Sequence, residues 1–188
     1  MRDFRARRGA CLLTLSLSLA CLKGEAPPGA ELPPPPATLP AAPCVYFRAL
    51  EAFLPEKLAG YERGEEKGST GRYGEVSVSE AERSFTRGEG REVTVRIVDT
   101  TLAEKLGRAI RSAVDESRDR DPADPTAPLL LDAAQGFVRY DAEEASAEAN
   151  LLVGERFVVA VTTHGYPGTG QVREVARSLD LTGLARLR

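Results

Sequence analysis

Residues Ala147 to Thr163 read AEANLLVGERFVVAVTT. Two apolar runs, Leu151-Leu152-Val153 and Phe157-Val158-Val159-Ala160-Val161, flank the polar link Gly154-Glu155-Arg156. Short runs rich in β-branched residues, split by two or three residues including a glycine, predict a β-hairpin. The second run is apolar at consecutive positions, so both of its faces need cover, as in a central strand. The rest of the chain can be placed against that strand.

After it come His164 and the turn Gly165-Tyr166-Pro167-Gly168. A helix then carries Val172, Val175, Ala176 and Leu179 on one stripe, and Leu181, Leu184 and Leu187 fold a short tail onto the core. Upstream, Phe137 to Tyr140 starts a strand that returns through the hairpin, and Leu129 to Leu131 reads as a short strand or a buried turn. Farther back, Leu102, Leu106, Ala109, Ile110, Ala113 and Val114 recur at helical spacing, behind a capping box of Thr101 and Glu104. Glu92 to Asp99 alternates cleanly, with Val93, Val95 and Ile97 on one face. RGEG at 87–90 is a turn, and Val76 to Phe85 is a strand. Gly64 to Gly74, with four glycines, reads as a flexible turn or loop after a short strand at Tyr61 to Glu66. Val45, Ala49, Leu50 and Phe53 mark a first helix, with Pro43 tolerated at its start and Pro55 ending it.

The order is helix, three strands, helix, three strands, helix. Short links between strands predict an α+β domain over 44–188, with a mainly antiparallel sheet of about six strands and two or three helices packed on it. GREVTVRIV and GERFVVAVT each precede a helix and are similar, a hint of duplication. By element order alone the layout resembles the PsbP-like α-β-α sandwich, a likeness that carries no function.

The opening of the chain has a different character. Arg2, Arg5, Arg7 and Arg8 precede an apolar run from Gly9 to Ala20. That run is shorter than the roughly 20 residues a spanning helix needs, and with small residues at its end it reads as a secretory signal peptide over 1–20. Ser18-Leu19-Ala20-Cys21 resembles the lipobox of bacterial lipoproteins, although that family usually has Leu where Ser18 stands. The resemblance covers residues 1–21. It implies an acyl lipid on Cys21, membrane attachment through that lipid and a place in the bacterial cell envelope. Leu22, rather than Asp, after the cysteine implies outer-membrane sorting in a bacterium with two membranes. Ser18 and Ala20 also suit ordinary signal peptidase, which would give a secreted or periplasmic soluble protein.

Residues 21–43 form a spacer in this reading. Eight of the thirteen prolines lie between Pro27 and Pro43. Such a composition cannot bury a core and favours extended polyproline II, reaching roughly 70 Å at about 3.1 Å per residue. It also has the character of a ligand for an aromatic groove, but a stalk is the simpler role.

Charge narrows the partners. The formal charge is −3. Residues 1–20 hold four Arg and one Asp, so their removal takes it to −6. A net negative domain without a basic cluster is not expected to bind nucleic acid, and anionic lipid heads would repel it. A lipidated Cys21 leaves Cys44 as the one remaining thiol, because Cys11 goes with the signal. Cys44 then reads as a small packed residue near the domain start, or as the seat of an intermolecular disulfide.

Few residues suggest chemistry. His164 is the one histidine, so a histidine-based hydrolase must use it, yet a strand end before glycine predicts an exposed turn residue. GYPGTG at 165–170 has the strand-to-helix context of a phosphate loop but lacks Gly-Lys-Ser/Thr and the third glycine of a dinucleotide fingerprint. Asp119, Asp121 and Asp124 suggest calcium, but the spacing and Pro122 break the ligand pattern. Glu143, Glu144 and Glu148 could include an acid–base pair. No catalytic residue, cofactor or metal is assigned on this basis. The expected function is a lipid-anchored binding or assembly module, for an unidentified envelope protein or small ligand. The alternatives are a small hydrolase-like enzyme using His164 or a carboxylate pair, and a carrier of an apolar ligand.

Overall fold

Seven antiparallel strands form one sheet in the computed structural model, which describes residues 44–118 and 126–187. In chain order the elements are α1 (Phe47–Glu51), β1 (Glu62–Tyr73), β2 (Val76–Thr86), β3 (Glu92–Thr100), α2 (Ala103–Arg118), β4 (Thr126–Leu131), β5 (Ala134–Asp141), β6 (Ser146–Val153), β7 (Phe157–His164), α3 (Gly170–Ser178) and α4 (Leu181–Ala185). The spatial order is β1-β2-β3-β7-β6-β5-β4. A first meander lays down β1 to β3, α2 carries the chain to the far edge, and a second meander walks back until β7 pairs with β3. The fold is α+β, as expected.

The hairpin of β6 and β7 closes at Val153↔Phe157. Gly154 and Glu155 have φ of 55° and 59°, and Arg156 N–H donates to Val153 O at 3.1 Å. Positive φ at both central residues gives a turn whose twist matches the strands it joins. β7 is the middle strand of the seven, which explains its consecutive apolar residues.

Strand parity divides the sheet into two faces. On one, Val138, Ala149, Val161 and Val95 lie in register across β5, β6, β7 and β3. They share a core with Leu50 and Leu54 near α1, Val172, Val175 and Ala176 of α3, and Leu181 and Leu184 of α4. On the other face α2 packs over β4 to β7, bringing Gly107 to Leu152 and burying Ile110 and Val114. Helices therefore cover both sides of the sheet. Over β1 to β3 that second face is polar, with an ion pair between Arg96 and Glu80.

A buried guanidinium fixes the segment after α1. Arg83, 4% exposed, donates to the carbonyls of Leu54 and Pro55 at 3.2 and 2.9 Å, and to Glu66 at 3.1 and 2.9 Å. With Arg63 also donating to it, the Glu66 carboxyl is held below the usual carboxylate range. Among the described residues no buried side-chain nitrogen or oxygen lacks a hydrogen-bond partner.

Two readings need correction. Gly64 to Gly74 is not a flexible loop: β1 runs through it to Tyr73, paired with β2 down to Tyr73↔Val76. Its glycines serve close approach, since a Cβ on Gly68 would lie 2.2 Å from the Phe47 ring and one on Gly64 2.5 Å from Ser84 Oγ. The capping box does not form. Thr101 Oγ1 accepts from Ser77 N–H at 3.1 Å, Thr100 Oγ1 accepts from Leu102 N–H at 3.2 Å, and Glu104 pairs with Arg108. Gly107 makes the helix's close approach to the sheet, which leaves Leu102 and Leu106 exposed at 41% and 39%. Leu129 to Leu131 takes the strand alternative: Thr126–Leu131 is an edge strand on β5, and the expected sheet of about six strands has seven among the described residues.

Among the described residues no helix is long and apolar enough to cross a membrane. Cys21, the Pro-rich stretch and the Asp119, Asp121 and Asp124 set lie outside the described residues.

Candidate functional site

The two ends of the β2–β3 pair differ in their chemistry. At the end where β3 finishes, Asp99 is 2% exposed. Its carboxylate accepts from Arg156 Nε and Nη2 at 3.1 and 2.7 Å, and from Val45 N–H at 2.8 Å. The Asp99 hydrogen bond holds the Arg156 guanidinium above its usual range. Cys44, half-buried, donates its thiol to Ser77 O at 3.3 Å. Burial, with the Asp99 charge adding to it, pushes that thiol up and disfavours the reactive thiolate. Here opposite charges are paired, and the pairing ties the domain start to β3 and to the β6–β7 turn.

At the other end β2 and β3 are joined through residues 87–91. Thr86↔Glu92 is the last paired position, and Arg87 N–H donates to Arg91 O at 2.9 Å, so Arg87 and Arg91 face each other across the hairpin. Both continue the alternation of buried Phe85 and Val93, and so lie on the face that carries α1 and α3. Two tyrosines meet them there. The Arg87 guanidinium lies 5.8 Å from the Tyr61 ring centroid, and that of Arg91 5.4 Å from the Tyr166 centroid. The two phenols hydrogen-bond to each other. Burial, reinforced by that bond, pushes Tyr61 up to about 12 despite the opposing charge of Arg87.

Local sequence explains the convergence. Gly165, at φ 76°, packs so closely that a Cβ would lie 2.2 Å from Gly90 O. That approach sets the β7–α3 loop on the β2–β3 turn and places Tyr166 beside Arg91. Tyr61 comes from the segment before β1, where Gly60, at φ 79°, turns the chain in contact with the Arg87 guanidinium. Tyr61 also lines a groove of about 300 Å³ with Leu58, Lys57, Gln171, Glu174 and Val175. Phenols, guanidiniums and a partly apolar groove therefore share one corner. A separate groove of about 320 Å³ lies between the β4–β5 turn and the α3–α4 link, lined by Leu131, Asp132, Arg177 and Asp180.

The residues singled out in the sequence do not gather there. His164 is exposed and, by alternation from buried Thr163, points to the α2 side with its register partner Glu92. It makes no hydrogen bond to Asp or Glu among the described residues. Glu143 and Glu144 sit in the β5–β6 turn, where their backbone N–H groups donate to Asp141 Oδ1 at 2.9 and 3.2 Å. Glu148 lies along β6, 3.6 Å from Arg139 and 2.5 Å from the Asn150 side-chain amide. Among the described residues no three His, Cys, Asp or Glu side chains converge as a metal set would. The 165–170 loop matters through Tyr166 and Gly165 instead. Sequence reading noted RGEG as a turn and missed that it sets Arg87 opposite Arg91. A residue just before and one just after a three-residue turn must face each other, so Arg87 and Arg91 carried a legible signal.

No family model matches the chain, and neither a curated protein nor a solved structure proves similar to it.

Proposed function

We propose that the chain is a lipid-anchored protein of the bacterial envelope, tethered through Cys21 and a Pro-rich spacer, whose α+β domain acts as a binding module through the Tyr61–Tyr166 corner. The observation that carries this reading is the opposition of two ends. The domain start is held at Asp99 through Val45, whereas Arg87 and Arg91 lie at the other end of the same strands. Eight residue steps along β3 separate Arg91 from Asp99, which at about 3.3 Å per residue is roughly 25 Å. In this reading the strand ends near the domain start serve attachment and the opposite ends serve a partner. The corner also brings two aromatic rings and two guanidiniums together, groups enriched at energetically important binding positions.

Cys21→Ser tests the tether. In a bacterial host the unaltered chain should fractionate with membranes and its mature N-terminal peptide should carry the mass of acyl chains. The variant should move to the soluble fraction. A native N-terminal peptide that begins with unmodified Cys21, or a distribution untouched by the substitution, would remove the lipoprotein reading.

A further inference from the structure

We infer that the Arg87–Arg91 corner is a receptor for an oxyanion, a phosphate or carboxylate group carried by the module's ligand. The inference rests on the binding reading above and names the chemistry of that site. Its first support is electrostatic. Side chains directly opposite on an antiparallel pair have Cβ atoms about 5 Å apart, and like charges at such positions repel. Arg87 and Arg91 occupy one such position, and neither forms an ion pair among the described residues. Asp99 and Arg156 show how this fold neutralises a charge it needs for structure. The turn is left with two guanidiniums on one side of the sheet.

Nearby carboxylates do not fill this role. Glu92 accepts from Thr94 on the opposite face, and Glu89 sits at the turn tip between Gly88 and Gly90, whose φ values are 57° and 77°. Geometry is the second support. Each guanidinium lies against a tyrosine ring, and the rings are joined through their hydroxyls. The ring contacts, and for Arg87 a hydrogen bond to the Tyr61 phenol, hold the guanidiniums at the corner, where N–H donors not so engaged can form the paired bonds an oxyanion accepts. The donors are thereby held in place before a ligand arrives, which lowers the ordering cost of binding. An anion between or beside them would also remove the repulsion.

The test uses the full chain carrying Cys21→Ser, so that its outcome does not depend on lipidation. Inorganic phosphate is titrated calorimetrically against it, with ionic strength held constant by chloride. Saturable binding is expected, and Arg87→Gln with Arg91→Gln should weaken it at least tenfold. Arg72→Gln, at the opposite end of β1 and β2, should leave it unchanged. If the double variant does not fold, Arg91→Gln alone should weaken binding severalfold. Vesicles of anionic phospholipid separate the sources. Competition with phosphate that depends on Arg87 and Arg91 identifies a lipid headgroup, whereas phosphate binding without vesicle competition identifies a soluble ligand. Absence of saturable binding, or binding equal in the wild type and the double variant, would overturn the inference without touching the tether.

Discussion

At the Asp99 end of the sheet a buried carboxylate and Arg156 neutralise each other, and at the Arg87–Arg91 end two like charges face each other with no ion-pair partner among the described residues. Both ends use arginine, but the surroundings give it opposite roles. Arg156 is half-buried and donates twice to one carboxylate, which also accepts from Val45 N–H. Arg87 and Arg91 are exposed, lie against tyrosine rings and form no ion pair among the described residues. A buried charge must be neutralised internally because desolvation is costly, whereas an exposed pair of like charges can persist at modest cost and draw in a counter-ion. The contrast separates the end that holds the domain together from the end proposed to meet a ligand.

The largest effect should come from breaking the closed end. Asp99→Ala leaves Arg156 and Val45 N–H without their acceptor, and loss of one partner of a buried pair costs about 3–5 kcal/mol. Urea denaturation would measure this. The double change Asp99→Leu with Arg156→Met should cost clearly less, because no unpaired charge remains. Equal losses would mean that packing, rather than pairing, is what Asp99 supplies.

Gly165→Ala should come next. The new Cβ would meet the Gly90 carbonyl, and φ is 76°, so a loss of about 2 kcal/mol is expected from strain and local displacement. The perturbation should stay at the open end. Amide exchange should quicken around residues 87–91 and 165–170 and leave residues 44–50 unaffected. A change confined to the Asp99 end would break the proposed separation.

Tyr61 gives a smaller, pH-dependent effect. Its phenol is pushed up to about 12 in the folded state, above the ordinary value of about 10. Its contribution is complete below about 10 and is lost as pH rises towards 12, because the unfolded chain gives up the proton first. Tyr61→Phe should therefore make the alkaline fall in stability less steep over that window. Denaturation curves at stepped pH would show it, and an unchanged slope would mean that the phenol pair does not hold its protons. The smallest effect belongs to residues 22–43. A chain starting near Pro43 should melt within about one degree of one starting at Cys21, since a Pro-rich segment of this composition buries no core. A fall of several degrees would show that it packs on the domain.

Much of the fold was legible where apolar spacing repeats. The β6–β7 hairpin, β3 and α3 follow from alternating or helical spacing, because burial imposes those periods on the residues themselves. β1 was hidden because it is an edge strand of polar residues, with glycines at 64 and 68 that make room for Ser84 and Phe47. Composition there reports what packs against the strand, not how freely it moves. The false capping box at Thr101 shows the reverse. A local motif was outbid by a nonlocal donor, Ser77 N–H, which no window around residue 101 contains. The corner was illegible for a similar reason. Tyr61 and Tyr166 are 105 positions apart, and only the closed sheet brings them together. Arg87 and Arg91 could have been paired from their turn alone.

The most direct test of the account is the stability of Arg91→Gln in a low-ionic-strength buffer free of multivalent anions. If Arg91 is held for a ligand, removing it relieves its repulsion with Arg87 and loses only an exposed ring contact, two effects of about 0.5–1 kcal/mol that oppose each other. Urea denaturation should then find the variant within about 0.5 kcal/mol of the wild type, or more stable. A loss of 2 kcal/mol or more would show that Arg91, like Arg156, belongs to the scaffold, and the division between a holding end and a binding end would not stand.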